Sequence, residues 1–208
     1  MSWDVCAWGV NTLRKLIENH GVQKFTSDGT FVVPEGVHKI LVTACGGGGG
    51  GGGSSFYGGS GGGASGECIY RHLFAVTPGS EISIMVGAGG AGGAGNTGSV
   101  DSRNCKNGEN GGATVIGDLV TLSGGVGGNK PSNGYFGGDG ASFFETNTSG
   151  GGGGGGCIGR GGNGGTGGSS AINPTTGGYG SGGGGAPGNN KTAISGADGG
   201  PGVVIIEY

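Results

Sequence analysis

Apolar residues alternate with polar ones in several short runs of this chain, and a period of two predicts β-strands. The two clearest runs are residues 38–45 and 81–86. In the first, Ile40, Val42 and Ala44 form one face, and in the second, Ile82, Ile84 and Val86 do so. Each run is bounded by turn residues or by glycine. We therefore predict a strand at each of these two places.

Further apolar runs predict the rest of a β scaffold. Residues 67–76 predict a strand, and residues 112–122 predict a hairpin that turns at Gly117 and Asp118. The closing run, residues 203–208, is apolar on both faces and so predicts a central strand. The predicted fold class is mostly β, with a small antiparallel, sandwich-like scaffold.

Long glycine runs separate these strands, and in places the other residues recur at every third position. Seven glycines start at residue 150, and the residues that then stand three apart are Arg160, Asn163, Thr166 and Ser169. An α-helix would lose about 1 kcal/mol at each interior glycine relative to alanine, and a strand would have no side chains to pack. The polyproline-II backbone has three residues per turn, so the period predicts extended threefold rods.

Such rods expose backbone on two faces, and this backbone makes no hydrogen bonds within its own helix. Each N–H and C=O therefore needs a partner in water or in a neighbouring rod. We predict that residues 46–53, 87–98 and 150–169 pack as polyglycine-II helices in a lattice that replaces a large hydrophobic core.

The composition agrees with a small apolar core and narrows the alternatives. Glycine accounts for 64 of the 208 residues but proline for only 6, and the triplet is often interrupted, which excludes a collagen triple helix. Glycine-rich chains without one period are usually disordered, but here strand-like runs separate the glycine and the triplets keep their phase. Charged residues are 11 % and the net charge is −3, which favours neither nucleic acid nor an anionic membrane as a partner.

The five cysteines and the first residues suggest where the protein is made. The N-terminus lacks the basic start and apolar run of a secretory signal. No stretch approaches the 18 apolar residues of a membrane span. We expect synthesis in the cytosol with mostly reduced thiols, which leaves the finished protein free to work outside a cell.

Residues 1–22 differ in composition from the rest and predict an N-terminal segment ahead of a glycine-rich domain at residues 23–208. A short helix is predicted, capped by Asn11 and ended by Gly21. A dozen helical residues are marginal alone, so this segment docks either on its own domain or on a partner. The residues that would attach it to a partner are Trp3, Trp8, Leu13 and Ile17.

The motifs that resemble enzyme signatures do not support a catalytic site. Residues 87–92 match the dinucleotide pattern GxGxxG, but no helical pattern follows. Residues 185–192, GAPGNNKT, miss the second glycine of a P-loop. Cys68 and His72 are four apart on a predicted strand, where this spacing does not suit a metal. We predict no enzyme activity, no cofactor and no metal site.

Aromatic residues in the glycine-rich loops are the best candidates for recognition. Tyr and Trp at exposed positions are frequent anchors of binding surfaces. The alternative is that the rings fill gaps between rods. The candidate receptor-binding residues are Phe56, Tyr57, Tyr135, Phe136, Phe143, Phe144 and Tyr179, together with Arg160 at the start of the triplet repeat.

Several blocks of the sequence resemble one known family. FTSDGTFVVPEGVHKILVTAC followed by polyglycine resembles the start of the glycine-rich domain common in bacteriophage tail-fibre proteins, including its Phe-Thr-x-x-Gly-Thr-Phe-x-Val-Pro hairpin. EISIMVGAGGAGG, GATVIGDLVTLSGGVGG and GGPGVVIIEY are similar to its middle strand, second hairpin and closing strand. The resemblance covers residues 23–208, and the order of the blocks is more specific than any one block.

That group includes the tail-fibre tip adhesins of T-even-like phages, which pack polyglycine-II helices into a lattice and bind host surface proteins through loops at its distal end. The resemblance implies a polyglycine-II lattice whose distal loops bind a host surface receptor, and an N-terminal part that attaches the protein to the tail or tail fibre of the virion. The receptor could be a protein or a glycan, and the chain could act as a monomer or as a homotrimer. The alternative is a purely structural virion component, a tail-tip cap or decoration protein without host binding.

Overall fold

The structure, a computed structural model, describes residues 20–55, 58–96, 104–131, 150–166, 172–188 and 194–208. Within these ranges no helix is long and apolar enough to span a membrane. The strands are β1 (Val22–Phe25), β2 (Gly29–Val32), β3 (Lys39–Cys45), β4 (Cys68–Ala75), β5 (Glu81–Met85), β6 (Thr114–Ile116), β7 (Val120–Leu122) and β8 (Val203–Glu207).

The strands form two small antiparallel sheets. The first has the order β1-β8-β3-β4 and the second the order β2-β5-β6-β7. The predicted strands at 38–45, 67–76 and 81–86 and the hairpin at 112–122 are confirmed. The closing strand is also confirmed as central, because β8 pairs with β1 on one side and with β3 on the other.

One apolar core lies between the two sheets. The first sheet contributes Ile40, Val42, Ala44, Val204 and Ile206, and the second contributes Phe31, Ile82, Ile84, Ile116 and Leu122. The alternation predicted from the sequence places these side chains on one face of each strand. The core is small because no strand supplies more than three of its buried side chains.

The hairpin that the resemblance implies for the Phe-Thr-x-x-Gly-Thr-Phe-x-Val-Pro block does not form, although a bend at residues 26–28 does separate two strands. β1 pairs with β8 in the first sheet, whereas β2 pairs with β5 in the second. The turn therefore carries the chain from one sheet to the other. The carboxylate of Asp28 accepts a hydrogen bond from the amide of Val86, 2.8 Å away, which holds the turn against the end of β5.

One pair of the described cysteines departs from the expectation of mostly reduced thiols. Cys68, the first residue of β4, is paired in a disulfide with Cys157, with 6.4 Å between their Cα atoms. Cys45 and Cys105 are buried. The pairing joins residues 89 positions apart, so no local pattern could predict it.

Extended glycine segments continue from the strand ends. Two of them, residues 46–55 and 180–188, are buried along their length, and we call them the inner segments. The outer segments, which surround them among the described residues, are 58–67, 87–96, 104–113, 123–131, 150–156, 159–166, 172–178 and 194–202. Together they fill a volume that has almost no side chains.

Hydrogen bonds of the first inner segment repeat every three residues. Its amides donate to carbonyls of three outer segments at N···O distances of 2.8–3.0 Å. Gly46, Gly49 and Gly52 donate to segment 58–67, and Gly47, Gly50 and Gly53 donate to segment 104–113. Gly48, Gly51 and Ser54 donate to segment 194–202. Its carbonyls accept with the same period from 87–96, from 123–131 and from the second inner segment. This segment is therefore bonded to neighbours on six sides.

The second inner segment is surrounded in the same way. Its amides donate to residues 46–55, 150–156 and 172–178, and its carbonyls accept from residues 58–67, 159–166 and 194–202. Because the two inner segments contact each other, they share some neighbours. Among the described residues, no buried side-chain nitrogen or oxygen lacks a hydrogen-bond partner.

The registers of these bonds give every segment a direction. The first inner segment leaves β3 at Cys45, and its bonds to residues 58–67, 104–113 and 194–202 run antiparallel. Successive segments thus alternate between leaving the sheets and returning to them. We call the end next to the strands the sheet end and the opposite end the far end.

Candidate functional site

The far end is formed by described residues at which outgoing segments stop and returning segments start. Hydrogen bonds connect them: the amide of Asn96 donates to the carbonyl of Ser54, and the amide of Ser54 donates to the carbonyl of Ile194. Thr166 and Ile172 form an isolated antiparallel bridge with bonds of 3.1 and 3.0 Å. These contacts bring segments that are distant in sequence to one surface.

Small hydroxyl side chains fix this end. The Ser54 hydroxyl donates to the carbonyl of Ile194 and accepts from its amide, both at 3.1 Å. The buried Ser60 hydroxyl contacts the carbonyl of Gly52 and accepts from the amide of Ala186 at 2.8 Å. A hydroxyl can do this because it both donates and accepts in little space.

Most of the predicted receptor-binding aromatics stand in the chain next to these far-end residues. Phe56 and Tyr57 lie between Ser55 and Gly58 in the sequence. The stretch between Pro131 and Gly150 contains Tyr135, Phe136, Phe143 and Phe144. All six aromatic residues lie outside the described residues, so their recognition role stays a prediction.

The two remaining candidates lie at the sheet end. Tyr179 is half-buried, and the Lys24 Nζ of β1 lies 4.5 Å from the centre of its ring, a cation–π contact. Arg160 is exposed near the start of segment 159–166, and its carbonyl accepts from the amide of Gly178 at 2.9 Å. The structure therefore separates Tyr179 and Arg160 from the far end.

The N-terminal candidates Trp3, Trp8, Leu13 and Ile17 also lie outside the described residues. The described chain starts at His20, and Gly21 exchanges two backbone hydrogen bonds with Tyr208, of 2.8 and 3.0 Å. The chain thus enters the molecule at the sheet end. The division predicted at residue 22 stays a prediction.

The outer segments carry the predicted side-chain stripes. In residues 87–96 the exposed positions Ala88, Ala91 and Ala94 alternate with the buried Gly87, Gly90 and Gly93. Arg160, Asn163 and Thr166 are likewise exposed, whereas Gly162 and Gly165 are buried. The period of three is confirmed at both places.

Polar stripe residues have a role that the sequence reasoning missed. Their side chains accept hydrogen bonds from amides of the adjacent segment at 2.7–2.9 Å, namely Asn110 from Gly127, Asn107 from Lys130, Thr175 from Asn163 and Asp198 from Gly92. The spacing of three between Asn107 and Asn110 is the signal that could have indicated this role.

The described residues offer little that resembles catalytic chemistry. No group of three or more His, Cys, Asp or Glu side chains in them could hold a metal ion. Burial raises the pKa of the Cys45 thiol, which keeps it protonated and unreactive near neutral pH. The far end, where segments distant in sequence meet, is the candidate binding surface.

The arrangement of strands and glycine runs can now be compared with known proteins. The chain matches the glycine-rich domain family over residues 26–151, which is 126 of 208 residues and so more than half of the chain. The chain belongs to the glycine-rich domain family. The family match contains β2 to β7 and the first inner segment. A search of curated proteins found no significant match.

Proposed function

We propose that this glycine-rich domain protein is an adhesin at the tip of a bacteriophage tail or tail fibre. It would bind a host bacterial surface receptor through the chain stretches that join segments at the far end. The observation that carries this proposal is its two-ended organisation: Gly21, beside the first described residue, is bonded at the sheet end, and the flanks of the aromatic stretches lie at the far end. One end would hold the virion and the other would contact the cell.

We further propose that the glycine segments form a polyglycine-II lattice that acts as a rigid platform for those stretches. The three-residue period of the hydrogen bonds and the six-sided surroundings of both inner segments support this assignment. A threefold helix points its N–H and C=O groups outward in three directions, so a hexagonal lattice satisfies them all.

Such a platform is useful for recognition because it limits the entropy lost on binding. Loops held at both ends by a rigid scaffold lose less conformational freedom when they bind than free loops do. Variable binding stretches on a constant scaffold are a common solution in recognition proteins. Aromatic residues in these stretches would supply contact area for a protein or a sugar ring.

The test is binding of purified protein to intact host bacteria. Alanine substitution of Tyr135, Phe136, Phe143 and Phe144 together should weaken binding at least about 30-fold, because anchor residues contribute about 2 kcal/mol or more each. Tyr179→Ala and Arg160→Ala are the controls, since both residues lie at the sheet end. They should leave binding unchanged.

The result also decides between the two functional classes. Wild-type protein that shows no affinity for any bacterium on which the phage grows would favour a structural tail-tip component. If the wild-type protein binds and the variant with all four alanine substitutions binds equally well, these four residues are not the ones that recognise the receptor.

A further inference from the structure

The outer face of the first sheet carries a row of three apolar side chains and one carboxylate that the described residues leave at least partly exposed. Strand pairing sets Val22 opposite Glu207, Glu207 opposite Leu41, and Leu41 opposite Leu73, so one row crosses all four strands. Val22 is 68 % exposed and Leu73 is 54 % exposed. Large apolar side chains at this level of exposure on one sheet face indicate a contact surface.

The burial of neighbouring residues shows that this row lies on the face of the sheet that points away from the core. Ile40, Val42 and Ile206 are buried between the sheets. Neighbours in a strand point to opposite faces, so Leu41 and Glu207 point away from the core. Directly paired residues share a face, which places Val22 and Leu73 on the same outer side.

A groove of about 520 Å³ runs along the row. Its lining includes Val22, Leu41, Leu73 and the paired charges Arg71 and Glu207. Arg71 Nη1 lies 2.7 Å from a carboxylate oxygen of Glu207, so these two charges satisfy each other. Besides the polar residues His20, Lys39 and Tyr208, which also line the groove, what it offers a partner is apolar surface.

His20 and Gly21 also line this groove. Residues 1–19 are therefore covalently attached at its edge, and their local concentration at the groove is in the millimolar range for a short flexible connection. The sequence of this segment provides suitable side chains, with Trp3, Trp8 and the helically spaced Val10, Leu13 and Ile17.

The length of a short helix also matches the width of the first sheet. A helix of ten residues is about 15 Å long at 1.5 Å per residue. Four strands at a spacing of about 4.8 Å span about 14 Å. A short helix can thus cross the whole apolar row in one pass.

We propose that residues 1–19 cover the outer face of the first sheet within the same chain. The apolar side of the segment packs on Val22, Leu41 and Leu73, and the sheet end that meets a partner is then a composite of sheet and segment. This inference goes beyond the adhesin function and holds whether or not that function is correct.

The experiment uses the tryptophans of the full chain as the probe. The protein contains two, Trp3 and Trp8, so its tryptophan fluorescence reports on residues 1–19 alone. In the wild type we expect a blue-shifted emission and weak quenching by acrylamide. Leu73→Asp and Val22→Lys should each shift the docking equilibrium at least about tenfold toward release, because covering a charged group with apolar side chains removes its hydration.

The variants are chosen to keep the sheet folded. Val22→Lys faces Glu207 across the strand pair, and Leu73→Asp lies in the groove with Arg71. Val126→Asp is the matched control, since Val126 is 65 % exposed on a glycine segment rather than on this face. It should leave the fluorescence unchanged, and circular dichroism should be the same for all of these proteins.

Ile17→Asp provides an independent check that leaves the sheet untouched, and it should expose the tryptophans equally. The proposal is overturned by tryptophans as accessible in the wild type as in an unfolded chain. It is also overturned if the wild-type tryptophans are protected from acrylamide and Leu73→Asp, Val22→Lys and Ile17→Asp leave that protection unchanged. Protection that appears only with dimer formation in sedimentation velocity would assign the face to a second copy and equally overturn it.

Discussion

At the scale of single residues, the side-chain space at each glycine decides whether a segment can pack. A Cβ on Gly153 would overlap the carbonyl group of Gly182 in the second inner segment. At Gly152, the adjacent residue, the nearest atom that a Cβ would meet is the carbonyl oxygen of Gly162, 3.8 Å away. Two neighbours in one glycine run therefore have different requirements.

We predict that Gly153→Ala destabilises the protein by about 1–3 kcal/mol, the usual cost of forcing atoms into a packed interior. Gly152→Ala should be neutral or stabilise by about 0.4–1 kcal/mol, because alanine restricts the unfolded chain. Thermal melting of the two variants measures the difference. Equal melting temperatures would contradict the close packing of segment 150–156 against residues 180–188.

Gly180 requires glycine for a second reason. Its φ angle is +66°, where a side chain is strained, and it stands at the turn between residues 172–178 and the second inner segment. A Cβ there would also overlap the side chain of Cys45. The chain therefore needs glycine for two reasons: a side chain would strain the backbone at a few turns, and it would block the close approach of backbones along the segments.

At the scale of elements, a covalent link joins the strands to the glycine segments. The Cys68–Cys157 disulfide connects the start of β4 to the residue that follows segment 150–156. A link that closes a loop of this length restricts the unfolded chain, and removing a native disulfide typically costs about 2–5 kcal/mol. The sheet and the segments should therefore unfold together.

We predict that Cys68→Ser lowers the free energy of unfolding by this amount under oxidising conditions. Cys157→Ser should have the same effect, and the double variant should lose no more than either single one. With a reductant the wild type should fall to the level of the variants, apart from a small effect of the new hydroxyl. A wild type that melts at the same temperature with and without reductant would show that the link does not stabilise the fold.

Thr114 is a second connection between elements. Its buried hydroxyl donates to the carbonyl of Cys45 at 2.8 Å and accepts from the amide of Gly87 at 3.0 Å. The ends of β3, β5 and β6 thus meet where the glycine segments begin. This contact fixes the level from which residues 46–55 and 87–96 leave the sheets.

At the scale of the whole molecule, hydrogen bonds of the backbone replace most of an ordinary core. The inner segments bury every residue, and their amides and carbonyls bond to neighbours on all sides. The outer segments 87–96 and 159–166 expose one position in three. Since inner segments lose their bonds only when several neighbours separate, their opening requires global unfolding.

We predict that amide hydrogen exchange follows this order. Amides of residues 46–54 and 181–186 should exchange at least about 10⁴-fold more slowly than in an unfolded chain, as expected for the stability of a globular domain. Amides of the outer segment 159–166 should exchange faster. Measurement by NMR on ¹⁵N-labelled protein checks the order, and rapid exchange in the inner segments would contradict a bonded interior.

Local patterns in the sequence predicted the elements. Alternation identified β3 and β5 because one buried face per strand imposes a period of two. The triplet around Arg160 and the alanine series in residues 87–96 identified extended segments with one exposed stripe, because glycine excludes helix and sheet packing there. These conclusions need only the immediate neighbours of each residue.

The tertiary structure alone decided which elements meet. β1 and β2 follow one another in the chain but enter different sheets, because β8, 181 residues after β1 begins, supplies the better partner for β1. Tyr179 sits against Lys24, 155 residues away, at the sheet end. The alternating directions of the segments put the entry of the chain at one end and the flanks of its aromatic stretches at the other. Glycine carries no side chain that could encode a partner, so the choice of neighbours depends on the lengths of the segments and on the strands that start and end them.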